Sequence, residues 1–301
     1  MAGCDWGHQS WFQFETYRCH WRQLGPEDGT PVVLLHGFGA SSGHWRGNAP
    51  VLAAAGYCVY AMDLLGFGAS DQTQNSLDNR LWSRQLQHFL STVIGRPAVL
   101  VGNSIGGLVA LTTAVFAPEW VLAVVAAPLP DPTLLQPLPR RRARWRRTWQ
   151  RRLVLVVSRL LPLGLLIALL RQRPLIRLGL QSAYACQERI DRELIQLIRW
   201  PARRSGAPHA LAAMVRGMAL RPAGATAPQL LPRLRCPLLL LWGRQDRLVP
   251  PQLAARVQGL APAARCELQW LEGLGHCPHD EVPEQFNSTL LLWLGQHTAD
   301  A

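Results

Sequence analysis

Apolar residues along this chain gather into short continuous runs separated by longer amphipathic stretches. Pro31–Leu35 (PVVLL) carries no polar position, the pattern of a strand buried on both faces. Comparable runs occupy residues 58–61, 98–102, 121–126, 237–242 and Cys266–Leu271. Two alternating segments, 11–14 and 17–23, read as edge strands near the start. Helical stretches such as 105–117 and 251–259 lie between the runs, and 282–295 reads as a closing helix. Strands alternating with helices predict an α/β fold with a mostly parallel sheet covered on both faces.

Between residues 126 and 237 the pattern changes. Strand-like runs flanked by turns disappear, and prolines at 137, 139, 162, 174, 201, 208, 222 and 232 break the segment into several helices. The chain therefore divides into a first core part (11–128), a helical insertion (129–235) and a second core part (236–296). Such an insertion would lie over the C-terminal edge of the sheet, where an open α/β sheet keeps its ligand site.

Charge divides the chain at the same place. All the basic residues among Lys and Arg are arginine. Residues 131–235 hold 21 arginines against 4 acidic residues, or +17, while the remainder holds 10 against 15, or −5. Compositional bias explains the choice of arginine over lysine but not this distribution, which marks two units with different surroundings.

The bulk numbers narrow the class. With 301 residues, 49% of them hydrophobic, the chain can bury an ordinary core without disulfide or metal staples. Seven cysteines stand at 4, 19, 58, 186, 236, 266 and 277 with no C-x-x-C pair and no Cys/His cluster, so they read as reduced residues of a cytosolic protein, and no metal site is expected. Residues 1–10 lack a basic stretch followed by an apolar run, so no secretory signal is read there. The longest uncharged apolar run of the insertion, 160–170, contains Pro162 and Gly164 and is too short to span a bilayer.

Candidate chemistry sits at the ends of the apolar runs. Gly102-Asn103-Ser104-Ile105-Gly106 is a G-x-S-x-G motif between a strand-like run and a helical one. That context lifts a serine hydroxyl clear of the sheet at a helix N-terminus, where negative charge is stabilised. His36-Gly37-Phe38-Gly39 follows the PVVLL run, and the loop there supplies an oxyanion donor, so the N–H groups of Phe38 and Ile105 are assigned to an oxyanion hole. His36 is expected to bond loop backbone. His44, Trp45 and Asn103 are candidate substrate contacts, with loop packing as the other reading of His44 and Trp45.

Asp246, just past the 237–242 run, fits the chain order Ser, acid, His, and would orient the imidazole. The competing explanations are a salt bridge to Arg244 or Arg247, and Asp131 as the acid instead. His276, beside Gly275 after the last run, is the candidate general base, and His279 competes as a structural or surface residue. Asp63, at the end of another run, reads as a residue that braces the glycine-rich turn 66–68 through backbone bonds.

These motifs, in this order and spacing, resemble the α/β-hydrolase superfamily over roughly residues 11–295. The serine at 104 separates the chain from the dehalogenases and epoxide hydrolases of that fold, which carry aspartate there. HGFGASSGHWRGNAPVLAAAGYCVYAMDLLGFGASD, GNSIGG and SAYACQERIDRELIQLIRWPARRSGAPHA are also similar to the hydrolases of cyanobacteria and plastids that include pheophytinase and chlorophyll dephytylase. That resemblance implies cleavage of a phytyl or similar long-chain ester and a place in chlorophyll metabolism.

The expected reaction is two-step ester hydrolysis by Ser104, His276 and Asp246 without cofactor or metal. The alternatives are an esterase of membrane acyl-lipids or small esters, and a ligand receptor of the same fold that has lost turnover. Arg140, Arg141, Arg142, Arg144, Arg146 and Arg147 precede the mostly apolar stretch 153–170. Basic residues beside an apolar helix suit a segment lying on an anionic membrane, with Trp145 and Trp149 at headgroup depth. The other reading is a lid whose apolar face covers the site. No nucleic-acid-binding motif accompanies the arginines.

Overall fold

The structure, a computed structural model, describes residues 4–135, 163–261 and 266–298. The arginine run 140–147, Trp145, Trp149 and the apolar residues 153–162 lie outside the described residues.

The apolar runs become the strands of one eight-stranded sheet. They are β1 (His8–Phe14), β2 (Tyr17–Leu24), β3 (Pro31–Leu35), β4 (Cys58–Met62), β5 (Ala98–Asn103), β6 (Val121–Ala127), β7 (Leu238–Gly243) and β8 (Cys266–Leu271). Their order in space is β1-β2-β4-β3-β5-β6-β7-β8. β1 and β2 form an antiparallel hairpin, β2 runs antiparallel to β4, and the remaining pairs are parallel. β1 starts at His8 rather than Trp11, because His8, Gln9 and Ser10 complete the ladder with Gln23, Arg22 and Trp21. Backbone pairing at an edge does not require the apolar alternation from which such a strand is read.

Alternation along the inner strands splits the core into two layers. Val33, Leu35 and Leu100 point to one face, while Val32, Leu34, Val99 and Val101 point to the other. The first layer is covered by α2 (Asn79–Phe89) and α3 (Ile105–Phe116), the second by α1 (Ala49–Ala54) and the last helix. α2 begins where the Asp78 carboxylate accepts the N–H groups of Arg80 and Leu81, which caps the helix.

The described part of the insertion is helical. It contains α4 (Leu163–Leu170), α5 (Arg173–Ala183), α6 (Arg192–Ala202), α7 (Ala207–Leu220) and α8 (Ala227–Leu230). The second core part follows with α9 (Gln252–Leu260), α10 (Pro278–Glu281) and α11 (Pro283–His297). Within the insertion Ile176, Leu180, Tyr184, Ile190, Leu194 and Ile195 pack as a small separate core, which also takes in Cys277 from the loop after β8. Asp131 fastens the root of the insertion. It pairs with Arg221 and accepts the N–H of Ala227 at 2.7 Å. Among the described residues no helix is long and apolar enough to cross a membrane.

Candidate active site

β5 ends at Asn103 and α3 begins at Ile105, leaving Ser104 alone in the turn. Its backbone sits at φ 54°, ψ −121°, a region that side-chain-bearing residues rarely occupy. The flanking glycines make the turn possible. A Cβ on Gly102 would lie 2.2 Å from the Gly106 carbonyl carbon, and one on Gly106 would lie 2.2 Å from the Leu35 oxygen. The spacing G-x-S-x-G is thus a steric requirement: strand, helix and the neighbouring strand meet where any side chain would collide.

The loop after β8 brings His276 to the serine. His276 Nε2 lies 2.9 Å from Ser104 Oγ, and His276 Nδ1 lies 2.9 Å from Asp246 Oδ2. Asp246 can only accept, so Nδ1 carries the ring proton and Nε2 accepts from the serine hydroxyl. The other Asp246 oxygen accepts the N–H groups of Leu248 and Val249, at 2.8 and 2.9 Å. Gly243, the last residue of β7, lets the two loops approach, since a Cβ there would lie 2.2 Å from the Gly275 oxygen. Arg244 turns away, to Glu272 and the Trp270 ring. Asp131 is engaged with Arg221, Thr133 and Ala227 and makes no contact with His276.

Phe38 and Ile105 both lie next to the serine. Ile105 is the first residue of α3, so its N–H has no partner within the helix. A Cβ on Gly37 would come within 3.4 Å of the Ser104 Cβ, which places the Gly37–Phe38 loop against that serine. His36 holds this loop. Its Nδ1 donates to the Gly37 carbonyl at 2.8 Å, and its Nε2 accepts the Leu64 N–H at 3.1 Å. Burial lowers its pKa, as this neutral, fully bonded form requires. Asp63 accepts from His20, from the Ser42 N–H and from the Ala69 N–H, bracing the turn beside Phe67.

The Phe38 ring is 58% exposed and walls a cavity of about 180 Å³. Phe67 joins it from the core, while Ile167, Leu170, Ile176 and Met214 line the other side from the insertion. Gln72 and Arg171 are the polar side chains of the lining.

Three expected substrate contacts are turned into the protein. Trp45 is fully buried and packs its ring on His279, with centroids 4.3 Å apart. His44 donates from Nε2 to the Tyr184 hydroxyl at 2.8 Å, because that hydroxyl gives its own proton to Asp280. His44 Nδ1 then accepts from His279 Nε2 at 3.3 Å. Burial is the main cause that drives the His44 pKa down to about 4, and His279 is lowered as well. His279 is buried rather than at the surface. Asn103 donates to the carbonyls of Ala127 and His276, at 2.6 and 3.0 Å, and so braces the site instead of meeting substrate.

Sequence reasoning passed over Tyr184, Asp280 and Glu281. Tyr184 reaches from the insertion into the core, Asp280 pairs with Arg46, and the Glu281 carboxylate collects backbone N–H groups. The available signal was the run His279-Asp280-Glu281: three ionisable residues leading directly into a core helix need internal partners.

A model described as the alpha/beta hydrolase family matches residues 32–289. The 2-hydroxy-6-oxononadienedioate/2-hydroxy-6-oxononatrienedioate hydrolase of Paraburkholderia phymatum is 28% identical, over 93% of this chain and 91% of that protein. The chloroplastic pheophytinase of Arabidopsis thaliana is 26% identical over 92% of this chain and 64% of its own length. Among solved structures, a membrane phospholipase A described as a bacterial virulence factor superposes with a TM-score of 0.74 at 25% identity, covering 98% of this chain and 87% of that one.

Proposed function

The chain belongs to the alpha/beta hydrolase family and is a hydrolase, and from that premise we propose that it cleaves a carboxylic ester through Ser104, His276 and Asp246. The observation that carries this reading is the continuous path Ser104 Oγ to His276 Nε2 to Asp246, with both links at 2.9 Å.

His276 takes the hydroxyl proton as Ser104 Oγ attacks the ester carbonyl. Asp246 keeps the proton on Nδ1 and stabilises the imidazolium that forms. The tetrahedral oxyanion is met by the N–H groups of Phe38 and Ile105, each worth on the order of 3 kcal/mol of barrier. His276 then protonates the departing alcohol, and afterwards deprotonates the water that releases the acid.

The substrate reading is an apolar, long-chain ester of the phytyl or acyl-lipid kind. The cavity beside Phe38 supports it, because its walls are almost wholly aliphatic and aromatic. A dioate such as the one in the name of the Paraburkholderia hydrolase has two carboxylates to satisfy, and Arg171 is the one cation among the described lining residues. The same reading extends to an anionic membrane as the place from which the ester is drawn. α4 exposes Leu165 by 61% and Leu169 by 52%, and arginines 171, 173 and 177 follow it. Apolar residues beside basic ones favour a negatively charged bilayer surface.

A fluorophosphonate probe tests the chemistry: wild type should label and Ser104→Ala should not. An unlabelled wild type would favour the receptor reading. Parallel incubation with chlorophyll a, pheophytin a, galactolipids and short p-nitrophenyl esters tests the substrate, and turnover of the short esters alone would remove the long-chain assignment.

A further inference from the structure

The backbone around His276 is gripped from two sides. On the core side, its carbonyl accepts from Asn103 Nδ2 at 3.0 Å. On the other side, its N–H donates to the Ala183 carbonyl at the end of α5, at 2.7 Å. The N–H groups on either side of it, from Gly275 and Cys277, both donate to the Glu281 carboxylate, at 3.0 and 3.2 Å. That carboxylate also accepts from Ala185 and Cys186 of the insertion, at 2.7 and 3.1 Å.

Glu281 is 1% exposed, and among the described residues it has no ion pair. A buried carboxylate in that position costs stability unless it is hydrogen-bonded. Here its partners are four N–H groups, two from each side of the seam between insertion and core. The seam is close: a Cβ on Gly275 would lie 2.5 Å from the Ala183 oxygen. The Cys277 side chain completes it by packing into the core of the insertion.

We propose that Glu281 is a positioning residue for His276, fastening the peptide groups that flank it to the Ala185–Cys186 turn, so that the insertion holds the general base as well as covering the site. The inference rests on the assignment of Ser104, His276 and Asp246 to catalysis. Its physical basis is that these bonds fix the His276 backbone, and the backbone sets where Nε2 lies relative to Ser104. A displacement on the order of 1 Å at such a point costs on the order of 10²-fold in rate.

The test uses the full chain with p-nitrophenyl butyrate. Glu281→Gln keeps the shape but turns an amide toward N–H donors. Cys186→Pro removes one donor from the insertion side without touching the histidine loop, at a backbone φ of −84° that lies about 20° from the value proline prefers. Expected for Glu281→Gln is a fall in kcat of about 10- to 100-fold, with KM changed by less than about twofold and the acid limb of kcat/KM displaced. Cys186→Pro should show the same pattern, several-fold in size. A merely structural role would lower Tm and the folded fraction but leave kcat per folded molecule and the pH limb unchanged, and that result in either folded variant overturns the proposal. If Glu281→Gln does not fold, Cys186→Pro decides alone. A wild type that neither labels with fluorophosphonate nor turns over esters sinks the triad assignment and this proposal together, whereas an active wild type with unaltered variants sinks only the latter.

Discussion

Asn103, the residue before the serine, donates its amide to the carbonyl of His276 at 3.0 Å. The end of β5 and the loop after β8 are thus joined by a buried bond. The same amide nitrogen donates to Ala127 at 2.6 Å, so Asn103→Ala strips a donor from two buried carbonyls. It should destabilise the protein by about 1–3 kcal/mol. Because the His276 loop loosens, kcat for a short ester should fall more than KM rises. Denaturant unfolding and steady-state kinetics check both, and a variant with wild-type kcat would contradict this bracing.

Ser104 lies at a positive φ that glycine adopts freely. Ser104→Gly and Ser104→Ala both remove the hydroxyl, but only the glycine variant relieves the backbone. Relief of the strain, about 1–3 kcal/mol, exceeds the extra chain entropy of glycine, about 0.4–1 kcal/mol, so Ser104→Gly should be the more stable of the two by about 1 kcal/mol. Thermal melts of the two inactive variants decide it, and a lower Tm for Ser104→Gly would refute the strain argument.

Asp246 and Asp131, the two candidate acids, follow different strands and have different partners. Asp246 faces His276, so Asp246→Asn should fold normally and lose on the order of 10⁴-fold in kcat by leaving the imidazole in the wrong tautomer. Asp131 is paired with Arg221, whose side chain is 5% exposed. Asp131→Ala leaves that cation buried and unpaired, at about 3–5 kcal/mol. Its kcat per folded molecule should stay near wild type. The reverse pattern, a stable but inactive Asp131→Ala, would exchange the two roles.

The fold is legible in the sequence because its inner strands are buried on both faces, which leaves uninterrupted runs such as PVVLL and AVLV. Ser104 is legible because close packing at Gly102 and Gly106 dictates a local pattern. Asn103 is visible in the same motif, but its direction is not, since a side chain's partner lies elsewhere in the chain. The network of His44, Tyr184, His279 and Asp280 joins residues as far apart as 44 and 280. No spacing rule records such pairings. The two ionisable groups that look like substrate contacts or surface residues are interior posts, because bonds to distant partners make their burial tolerable.

Buried histidines make stability depend on pH. His36, His44 and His279 are buried and neutral, and burial is the largest cause of each lowered pKa. For His44 the folded value is about 4 against an ordinary 6.5. Between those limits the unfolded chain takes up a proton that the folded chain refuses, so stability is full above the upper limit and falls as pH drops toward the lower. His44 alone accounts for on the order of 3 kcal/mol. Glu281 acts in the opposite sense, since burial raises its pKa and acid favours its folded form. Three histidines against one glutamate predict net acid destabilisation. Urea midpoints measured across this range should fall with pH, and His44→Gln should flatten the slope; an unchanged slope would remove His44 from the explanation.

The leucines of α4 carry the last prediction. Leu165 and Leu169 stand one turn apart and are exposed, yet neither lines the cavity that Ile167 and Leu170 of the same helix help to form. One face of the helix thus meets the solvent and its neighbour meets the space beside Phe38, which is the route inward that the proposed apolar ester would take. Vesicles of phosphatidylcholine with phosphatidylglycerol should carry the protein in flotation, and rising salt should release it, because the arginines act within a Debye length of the headgroups. Leu165→Glu with Leu169→Glu should abolish flotation while leaving hydrolysis of a soluble short ester intact. Equal binding to neutral vesicles at every salt concentration would eliminate the electrostatic part. Undiminished flotation of the double variant would move the contact away from α4.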